Sequence, residues 1–297
     1  MAFQDELESR VGKVNKLLDG VLSIDTGLAE PLMEVMRYSV FSPGKRLRPI
    51  IMEETAALFD RDAKELPYFM AALELIHSYS LVHDDMPCLD NDEFRRGRHT
   101  THAEYGEDMA LLAGDGLLNF AYETAAAAFN DTDDFNLVAR SMQVLTRKAG
   151  IFGMVGGQSV DVRSTKAGSS LSENELLYMH KKKTGALLEA AMMIGGILGG
   201  ATRDEIEDLK AAARNIGLAF QIRDDILDVE GEFENIGKAI GSDEALSKDT
   251  YVTIYGMDKA KADVQAYSDE ALRIIASFDR KNPFLEELIK SLINRDR

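Results

Sequence analysis

Apolar residues recur every three or four positions along most of the chain, which is the spacing of one face of an α-helix. The clearest stretches are Tyr68 to His83, Ala110 to Phe129 and Glu205 to Val229, where good helix formers fill the other positions. The six prolines lie at positions 31, 43, 49, 67, 87 and 283, so none interrupts the long segment between the last two. Strand-like alternation is scarce. The pattern predicts an all-α fold.

Three segments rich in Gly, Ser, Asp or Asn are predicted loops: Asn130 to Asp134, Ser164 to Ser172 and Gly231 to Asp249. None resembles a domain linker, so we expect one all-α domain over residues 1–297. Glycines also recur at helical spacing in two sets, which are Gly150, Gly153 and Gly156, and Gly195, Gly196, Gly199 and Gly200. Such rows indicate either close helix packing or room for a ligand.

The composition narrows the class of partner. Hydrophobic residues make up 45% and charged residues 29% of the chain, as in globular proteins. The 51 acidic and 34 basic residues give a formal charge of -17, which argues against nucleic acid and anionic membranes as partners. An anionic substrate would therefore need a local basic cluster or a bridging cation.

The compartment is indicated by cysteine usage and by the absence of targeting patterns. Cys88 is the only cysteine, which favours a reducing cytosol over a disulfide framework. The segment Met1 to Arg10 is acidic and lacks an apolar signal region, and the longest apolar run, Ala190 to Ala201, is shorter than a membrane span. We predict a cytoplasmic protein without stable membrane insertion.

One aspartate cluster lies on a predicted helix. Asp224, Asp225 and Asp228 follow an apolar run, and on an ideal helix these three carboxylates share one face. Like charges so placed repel one another unless a cation neutralises them. A hard divalent ion with oxygen ligands is the natural candidate.

The other aspartate cluster is spaced differently. Asp90 comes six residues after Asp84 and five after Asp85, and Pro87 between them should end the helix. The third carboxylate is therefore expected to come from a turn. Three arginines follow at once, which are Arg95, Arg96 and Arg98. Carboxylates that hold Mg²⁺ beside arginines that bind phosphate suit a diphosphate group.

Basic residues gather at two further places in this acidic chain. The loop Ser42 to Pro49 contains the cations Lys45, Arg46 and Arg48, and Lys181 to Lys183 form a second group. Each group alone could be a solvated surface that balances nearby acids. Together with the aspartates, they favour anion binding.

The segments Asp84 to Asp90, Asp224 to Asp228 and Gly44 to Pro49 resemble those of short-chain trans-isoprenyl diphosphate synthases, and the resemblance covers essentially the whole chain. It is greatest to bacterial farnesyl diphosphate synthases, whose first motif has the same four-residue gap. The resemblance implies an isoprenoid synthase-type helical bundle around a deep central cavity, a homodimer, and aspartate motifs facing each other across the cavity mouth. The implied reaction condenses isopentenyl diphosphate with dimethylallyl or geranyl diphosphate.

The resemblance also implies roles for individual residues. About three Mg²⁺ ions in each substrate-bound site would be held by Asp84, Asp85, Asp90, Asp224, Asp225 and Asp228. The allylic diphosphate would contact Arg95, Lys183 and Lys238, and isopentenyl diphosphate would contact Lys45, Arg48, His77 and Arg96. Thr184 and Gln221 match polar residues beside the reacting carbons, and Lys248 matches a loop that covers the site. The implied catalytic residues are Asp84, Asp85, Asp224, Lys183, Thr184 and Gln221.

Product length is expected to depend on the residues just before the first motif, which are Tyr79 and Ser80. In relatives these positions form the floor of the cavity in which the product grows. Tyr79 lies about one helical turn before Asp84, and its ring should block growth beyond about fifteen carbons. This favours farnesyl diphosphate. Geranylgeranyl diphosphate synthases share the spacing of the first motif and stay the alternative.

Three other classes are less consistent with the sequence. A terpene cyclase usually mixes Asn, Ser or Thr with Glu in its second metal motif and needs no second diphosphate pocket. A noncatalytic helical partner typically loses an aspartate motif, whereas both are intact here. A cation-storage protein would not explain basic residues such as Lys45 and Arg48.

Overall fold

The computed structural model describes residues 2–167, 171–236 and 250–293. Within these ranges the chain forms fourteen α-helices, one π-helical turn at His180–Thr184 and one two-stranded antiparallel hairpin. The helices are α1 (Phe3–Leu22), α2 (Glu30–Val40), α3 (Leu47–Ala56), α4 (Leu66–Asp84), α5 (Thr101–Tyr105), α6 (Glu107–Ala127), α7 (Phe135–Ala149), α8 (Met154–Ala167), α9 (Glu173–Met179), α10 (Gly185–Gly199), α11 (Arg203–Ile236), α12 (Tyr251–Tyr255), α13 (Met257–Ser277) and α14 (Pro283–Ile293). The hairpin strands are β1 (Phe94–Arg95) and β2 (Arg98–His99). The predicted all-α fold is confirmed.

The chain divides into two compact units. The first unit comprises Met1–Leu145 and Ile194–Gly200, and the second comprises Thr146–Met193 and Ala201–Arg297. Each unit has its own buried apolar residues. The single domain expected from the sequence stays a prediction.

Helix α4 lies at the core of the first unit and packs against α1, α2, α3 and α6. Every residue from Phe69 to Ile76 is buried, so the helix is enclosed on all its faces here. Burying each large apolar side chain stabilises the fold by about 1.5–3 kcal/mol. Pro67 lies in the first turn, where its missing N–H is not needed, and the helix ends at Asp84 as Pro87 predicts.

Helix α11 is the long helix of the second unit and packs against α12, α13 and α14. Ile222 and Ile226 are fully buried, whereas Asp228 is exposed. The apolar face therefore fixes the rotation of the helix and leaves Asp224 and Asp228 on its other side, with Asp225 nearer the buried face.

Two predicted loops begin too early. Helix α8 continues to Ala167, past the predicted start at Ser164, and α11 continues to Ile236, past Gly231. Neither stretch contains proline, so helical hydrogen bonding can propagate through it. The remainder of both loops falls partly at residues 168–170 and 237–249, outside the described residues.

The second glycine set packs closely against α3. A Cβ at Gly195 would overlap the carbonyl oxygen of Met52, and a Cβ at Gly199 would lie 2.8 Å from that of Ala56. These two glycines therefore provide close helix contact, which was one of the two alternatives.

No helix in the described part of the chain is long and apolar enough to cross a membrane. The cytoplasmic location stays a prediction.

Candidate active site

The first aspartate cluster is a turn that folds back onto the end of α4. The amide nitrogen of Asp90 donates to the carbonyl oxygen of Asp84 over 2.9 Å, and that of Asn91 donates to Met86 over 3.1 Å. Asn91 adopts a left-handed conformation with φ 55°. The turn thus returns Asp90 to the helix end, as the position of Pro87 predicts.

Asp85 forms an ion pair with the first arginine of the hairpin. Arg95 Nε donates to Asp85 Oδ1 over 2.7 Å, and the carboxylate is only 4% exposed. Burial raises the pKa of Asp85 above its usual value, Arg95 opposes this shift, and Asp92 and Asp90 add to it. The repulsion among the carboxylates of Asp85, Asp90 and Asp92 is therefore opposed by the guanidinium of Arg95.

His77 lies within a group of positive charges in the first unit. Its pKa is well below the usual value, first because the imidazole is buried and then because of Arg48 and Arg96. Arg46 and Arg95 act in the same direction. The imidazole is therefore neutral at pH 7, and the charge near it belongs to the arginines. Within an acidic protein, this is a local anion-binding region.

The basic loop is anchored by Arg46. This residue is 7% exposed, has φ 47°, and its NH1 forms a 3.0 Å ion pair with Glu74 on α4. Its other nitrogens donate to Asn15 Oδ1 and to the carbonyl oxygens of Val40 and Ser42. Arg46 thus holds the loop in place, whereas the side chain of its neighbour Lys45 is exposed.

Arg48 is the second basic side chain of this loop. Burial lowers its pKa, Glu74 opposes the shift, and Arg96 adds to it. Within the described residues, Nε of Arg48 and Oε2 of Glu74 are buried without a hydrogen-bond partner. The charges of Arg48 and Arg96 both act on His77, so these three side chains lie near one another. Their role in binding isopentenyl diphosphate stays a prediction.

The proposed floor residues lie on α4. The side chain of Tyr79 is 6% exposed, and burial, Tyr122 and Asp84 raise its pKa to about 12. Its ring meets that of His83 edge to face, with centroids 5.6 Å apart. Ser80 is half-buried and donates its hydroxyl to the carbonyl oxygen of His77 over 2.8 Å.

In the second unit a short chain of hydrogen bonds leads to Asp224. Thr184 Oγ1 donates to Gln221 Oε1 over 2.9 Å, and Gln221 Nε2 donates to Asp224 Oδ2 over 3.2 Å. Gln221 and Asp224 are three residues apart on α11, which puts them on one face. The three side chains are thus orientated by one another.

Asp225 occupies a more buried position on the same helix. Its Oδ2 accepts from the amide nitrogen of Tyr251 over 2.6 Å and lies 3.7 Å from His180 Nε2. Burial raises the pKa of Asp225 to about 6, the Tyr251 amide opposes the shift, and Asp228 adds to it. Removal of this acid from water thus makes its charge costly unless a cation is near.

Lys183 lies in the π-helical turn. Its Nζ donates to Asp161 Oδ2 on α8 over 2.5 Å. A Cβ at Gly157 would overlap the backbone of Lys183, so α8 can approach the turn only because residue 157 has no side chain. Single π-helical turns are frequent at functional sites.

Two polar residues of α8 were missed by the sequence reasoning. Asp161 pairs with Lys183, and within the described residues both polar side-chain atoms of Gln158 are buried without a hydrogen-bond partner. The signal was available, because Gln158 and Asp161 follow the first glycine set at a spacing of three residues, which puts them on one helix face.

The donor chemistry of both clusters fits Mg²⁺. Carboxylate oxygens are its preferred protein ligands. The pKa values of Asp85 and Asp225 are raised mainly by burial and further by neighbouring aspartates, and a bound cation would offset both effects. No three His, Cys, Asp or Glu side chains in the described ranges already surround one point. Mg²⁺ commonly uses one or two carboxylates together with substrate phosphates, so such a cage is not required. Lys238 and Lys248 lie outside the described residues.

The helical fold and the chemistry of these groups are those of an all-α prenyltransferase. The chain belongs to the polyprenyl synthetase family, whose profile, described as "Polyprenyl synthetase", matches residues 29–288. Members of this family use Mg²⁺ and act on diphosphate substrates. The family predicted from the aspartate motifs is therefore confirmed.

Individual relatives carry names for two different products. A farnesyl diphosphate synthase of Geobacillus stearothermophilus is 39% identical over 89% of this chain and 89% of its own length. A chloroplastic geranylgeranyl pyrophosphate synthase of Capsicum annuum is 40% identical over 94% of this chain and 74% of its own. The crystal structure of a geranyltransferase from Legionella pneumophila has a TM-score of 0.87 at 31% identity and covers 99% of this chain and 97% of that one. The chain is thus a short-chain prenyltransferase.

Proposed function

We propose that the protein condenses isopentenyl diphosphate with dimethylallyl and then geranyl diphosphate, and releases farnesyl diphosphate. The observation that carries this proposal is the group of arginines around the neutral His77, next in the chain to a carboxylate turn that suits Mg²⁺. Arginines held this close together repel one another, and a bound diphosphate would relieve that repulsion.

We assign isopentenyl diphosphate to the basic region of the first unit. Lys45, Arg48 and Arg96 supply positive charge, and the neutral His77 can exchange a hydrogen bond with a phosphate oxygen. Arg46 already donates hydrogen bonds to four acceptors, so we infer that it holds the loop in place and does not bind the substrate.

We assign the allylic diphosphate to Arg95, Lys183 and Lys238, with Mg²⁺ held by the aspartates of both motifs. When bound, the metal would supply positive charge against the diphosphate as it leaves. The six proposed metal ligands are Asp84, Asp85, Asp90, Asp224, Asp225 and Asp228. Asp85 would have to share its carboxylate between the metal and Arg95.

The reaction follows from these assignments. The bond between the allylic carbon and oxygen breaks, and its electron pair leaves with the diphosphate, where Arg95 and Lys183 stabilise the charge. The double bond of isopentenyl diphosphate then forms the new carbon–carbon bond, and a proton passes to the departing diphosphate. Thr184 and Gln221, fixed by their 2.9 Å hydrogen bond, present oxygen atoms towards developing positive charge. We assign Lys248 to a loop that keeps water from this cation.

We assign the length of the product to Tyr79 and Ser80, and favour fifteen carbons because the Tyr79 ring is bulky and its position is constrained by His83. Geranylgeranyl diphosphate is the second candidate, since the relatives named for that product are similarly close. Both candidate products are tested by one assay. The protein is incubated with Mg²⁺, isopentenyl diphosphate and each allylic diphosphate in turn, and the products are sized by mass spectrometry. A twenty-carbon main product would favour the second candidate, and release of a hydrocarbon without condensation would contradict the proposal.

We also infer that the protein is a homodimer. On α6 the adjacent side chains of Leu111 and Leu112 are 47% and 51% exposed, an apolar surface suited to a second copy. Sedimentation velocity tests this inference. The double variant Leu111→Glu with Leu112→Glu should sediment as a monomer, and a wild-type monomer would contradict the inference.

A further inference from the structure

The imidazole of His83 lies against the bare backbone of Gly114. His83 is on the last turn of α4, and Gly114 is on α6. A Cβ added at position 114 would overlap Nε2, Cδ2 and Cε1 of the His83 ring. The imidazole therefore occupies a space that exists because residue 114 has no side chain.

The other contacts of His83 fix the ring in this space. Its Nε2 lies 3.3 Å from the carbonyl oxygen of Leu111 on α6. Its ring meets the ring of Tyr79 edge to face at an interplanar angle of 87°. His83 is thus wedged between the backbone of one helix and a tyrosine of its own helix.

The Tyr79 side chain is in turn held close to the aspartate turn. It is almost completely buried, and the charge of Asp84 is one of the influences on its hydroxyl. Tyr122 on α6 is another neighbour of the same hydroxyl. A residue that fixes the Tyr79 ring therefore controls how far that ring projects beside a proposed metal ligand.

We propose that His83, seated on Gly114, is a positioning residue that holds the Tyr79 ring at the angle where product growth stops. The inference rests on the proposed function, since it assigns the control of product length within the same site. The edge-to-face contact stabilises the observed position of the Tyr79 ring, so loss of the imidazole removes this contact and leaves space into which the ring can turn.

The test compares His83→Ala with His83→Phe. In His83→Ala we expect the ratio of longer to main product to rise about tenfold, because Tyr79 can turn towards Gly114. His83→Phe keeps a ring against Tyr79 and should restore the wild-type ratio. The kcat and KM for the first condensation should stay within about twofold of wild type, because the ten-carbon product ends before the floor.

A second pair of variants tests the seat itself. Gly114→Ala should lengthen the product when His83 is present and add nothing in the His83→Ala background, where the new methyl group has room. Gly116→Ala on the same helix is the control, since its Cβ would meet only the flexible end of Met36 and side-chain atoms of Leu32. Thermal unfolding identifies any variant that fails to fold. If Gly114→Ala does not fold, the comparison of His83→Ala with His83→Phe decides the question.

The outcomes separate this inference from the proposed function. A wild-type protein that condenses no diphosphates would overturn both. Condensation by wild type with unchanged product lengths in His83→Ala would overturn only the role of His83. Long products from His83→Phe, or additive effects of Gly114→Ala and His83→Ala, would do the same.

Discussion

The amide nitrogen of Asp90 donates to the carbonyl oxygen of Asp84 over 2.9 Å. This backbone bond closes the turn that Pro87 begins, so the two proposed metal ligands are linked by main chain rather than by side chains. A change of either side chain should therefore leave the turn itself intact.

The first prediction concerns the side chain of Asp90, which the backbone bond of the turn does not require. Asp90→Asn removes a carboxylate charge and keeps the amide nitrogen, so kcat should fall by about 10²-fold while the thermal unfolding midpoint stays near that of wild type. Asp62→Asn, at an exposed position before α4, is the matched control. Steady-state assays over a range of Mg²⁺ concentrations make the measurement. Equal activity of both variants at limiting Mg²⁺ would exclude Asp90 as a ligand.

The second prediction concerns the buried pair Arg46 and Glu74, which are 7% and 2% exposed. Arg46→Met would leave the Glu74 carboxylate buried and unpaired, and should lower the free energy of unfolding by about 3–5 kcal/mol. The double variant Arg46→Met with Glu74→Met should recover much of this loss. Urea unfolding of wild type, of the single variants Arg46→Met and Glu74→Met, and of the double variant measures the recovery. Additive losses in the double variant would mean that the pair does not act as a unit.

The buried pair also marks the limit of what the sequence predicted. The helices and the break at Pro87 follow from local spacing, and they are present as expected except that α8 and α11 continue into two predicted loops. Arg46 and Glu74 are 28 residues apart, and Lys183 and Asp161 are 22 apart. Such partners meet only when separate helices pack, which periodicity along one segment does not encode. The sequence therefore predicted the identities of charged groups better than their pairings.

The third prediction concerns the close contact at Gly195. Its Cβ would overlap the carbonyl oxygen of Met52 and lie 3.0 Å from Cβ of Thr55. Because backbone must move, Gly195→Ala should lower the free energy of unfolding by about 1–3 kcal/mol. Gly12→Ala on α1 meets no atom within 4 Å and should instead stabilise by about 0.5–1 kcal/mol. Denaturant unfolding compares the two, and the same sign for both changes would contradict the packing argument.

The fourth prediction is a pH dependence of stability. Burial tends to raise the pKa of Glu65, but hydrogen bonds from Arg61 and Thr132 dominate and lower it from about 4.5 to about 2. Because the folded-state pKa is the lower one, this carboxylate stabilises the fold above its usual pKa, and the contribution is lost as the pH falls from about 4.5 to about 2.

Glu65→Gln removes that titration. Between about pH 5 and pH 3 the free energy of unfolding should fall less steeply in Glu65→Gln than in wild type. Glu104→Gln, the same change at an exposed position, should follow the wild-type slope. Unfolding curves at several pH values measure the difference. Parallel slopes for wild type and Glu65→Gln would show that the Arg61 pair does not govern acid stability.

The last prediction tests the floor of the product cavity. Tyr79→Ala removes a ring that is 6% exposed, so growth should continue past the point at which it stops in wild type and shift the products to longer chains. Tyr68→Ala makes the same change near the start of the same helix, where the hydroxyl bonds only to Asp131 among the contacts described, and should leave product lengths unchanged. Mass spectrometry at matched conversion compares the two. Unchanged lengths in Tyr79→Ala would place the stop elsewhere, whereas a wild type that already makes twenty carbons would mean that this ring permits one more addition than its size predicts.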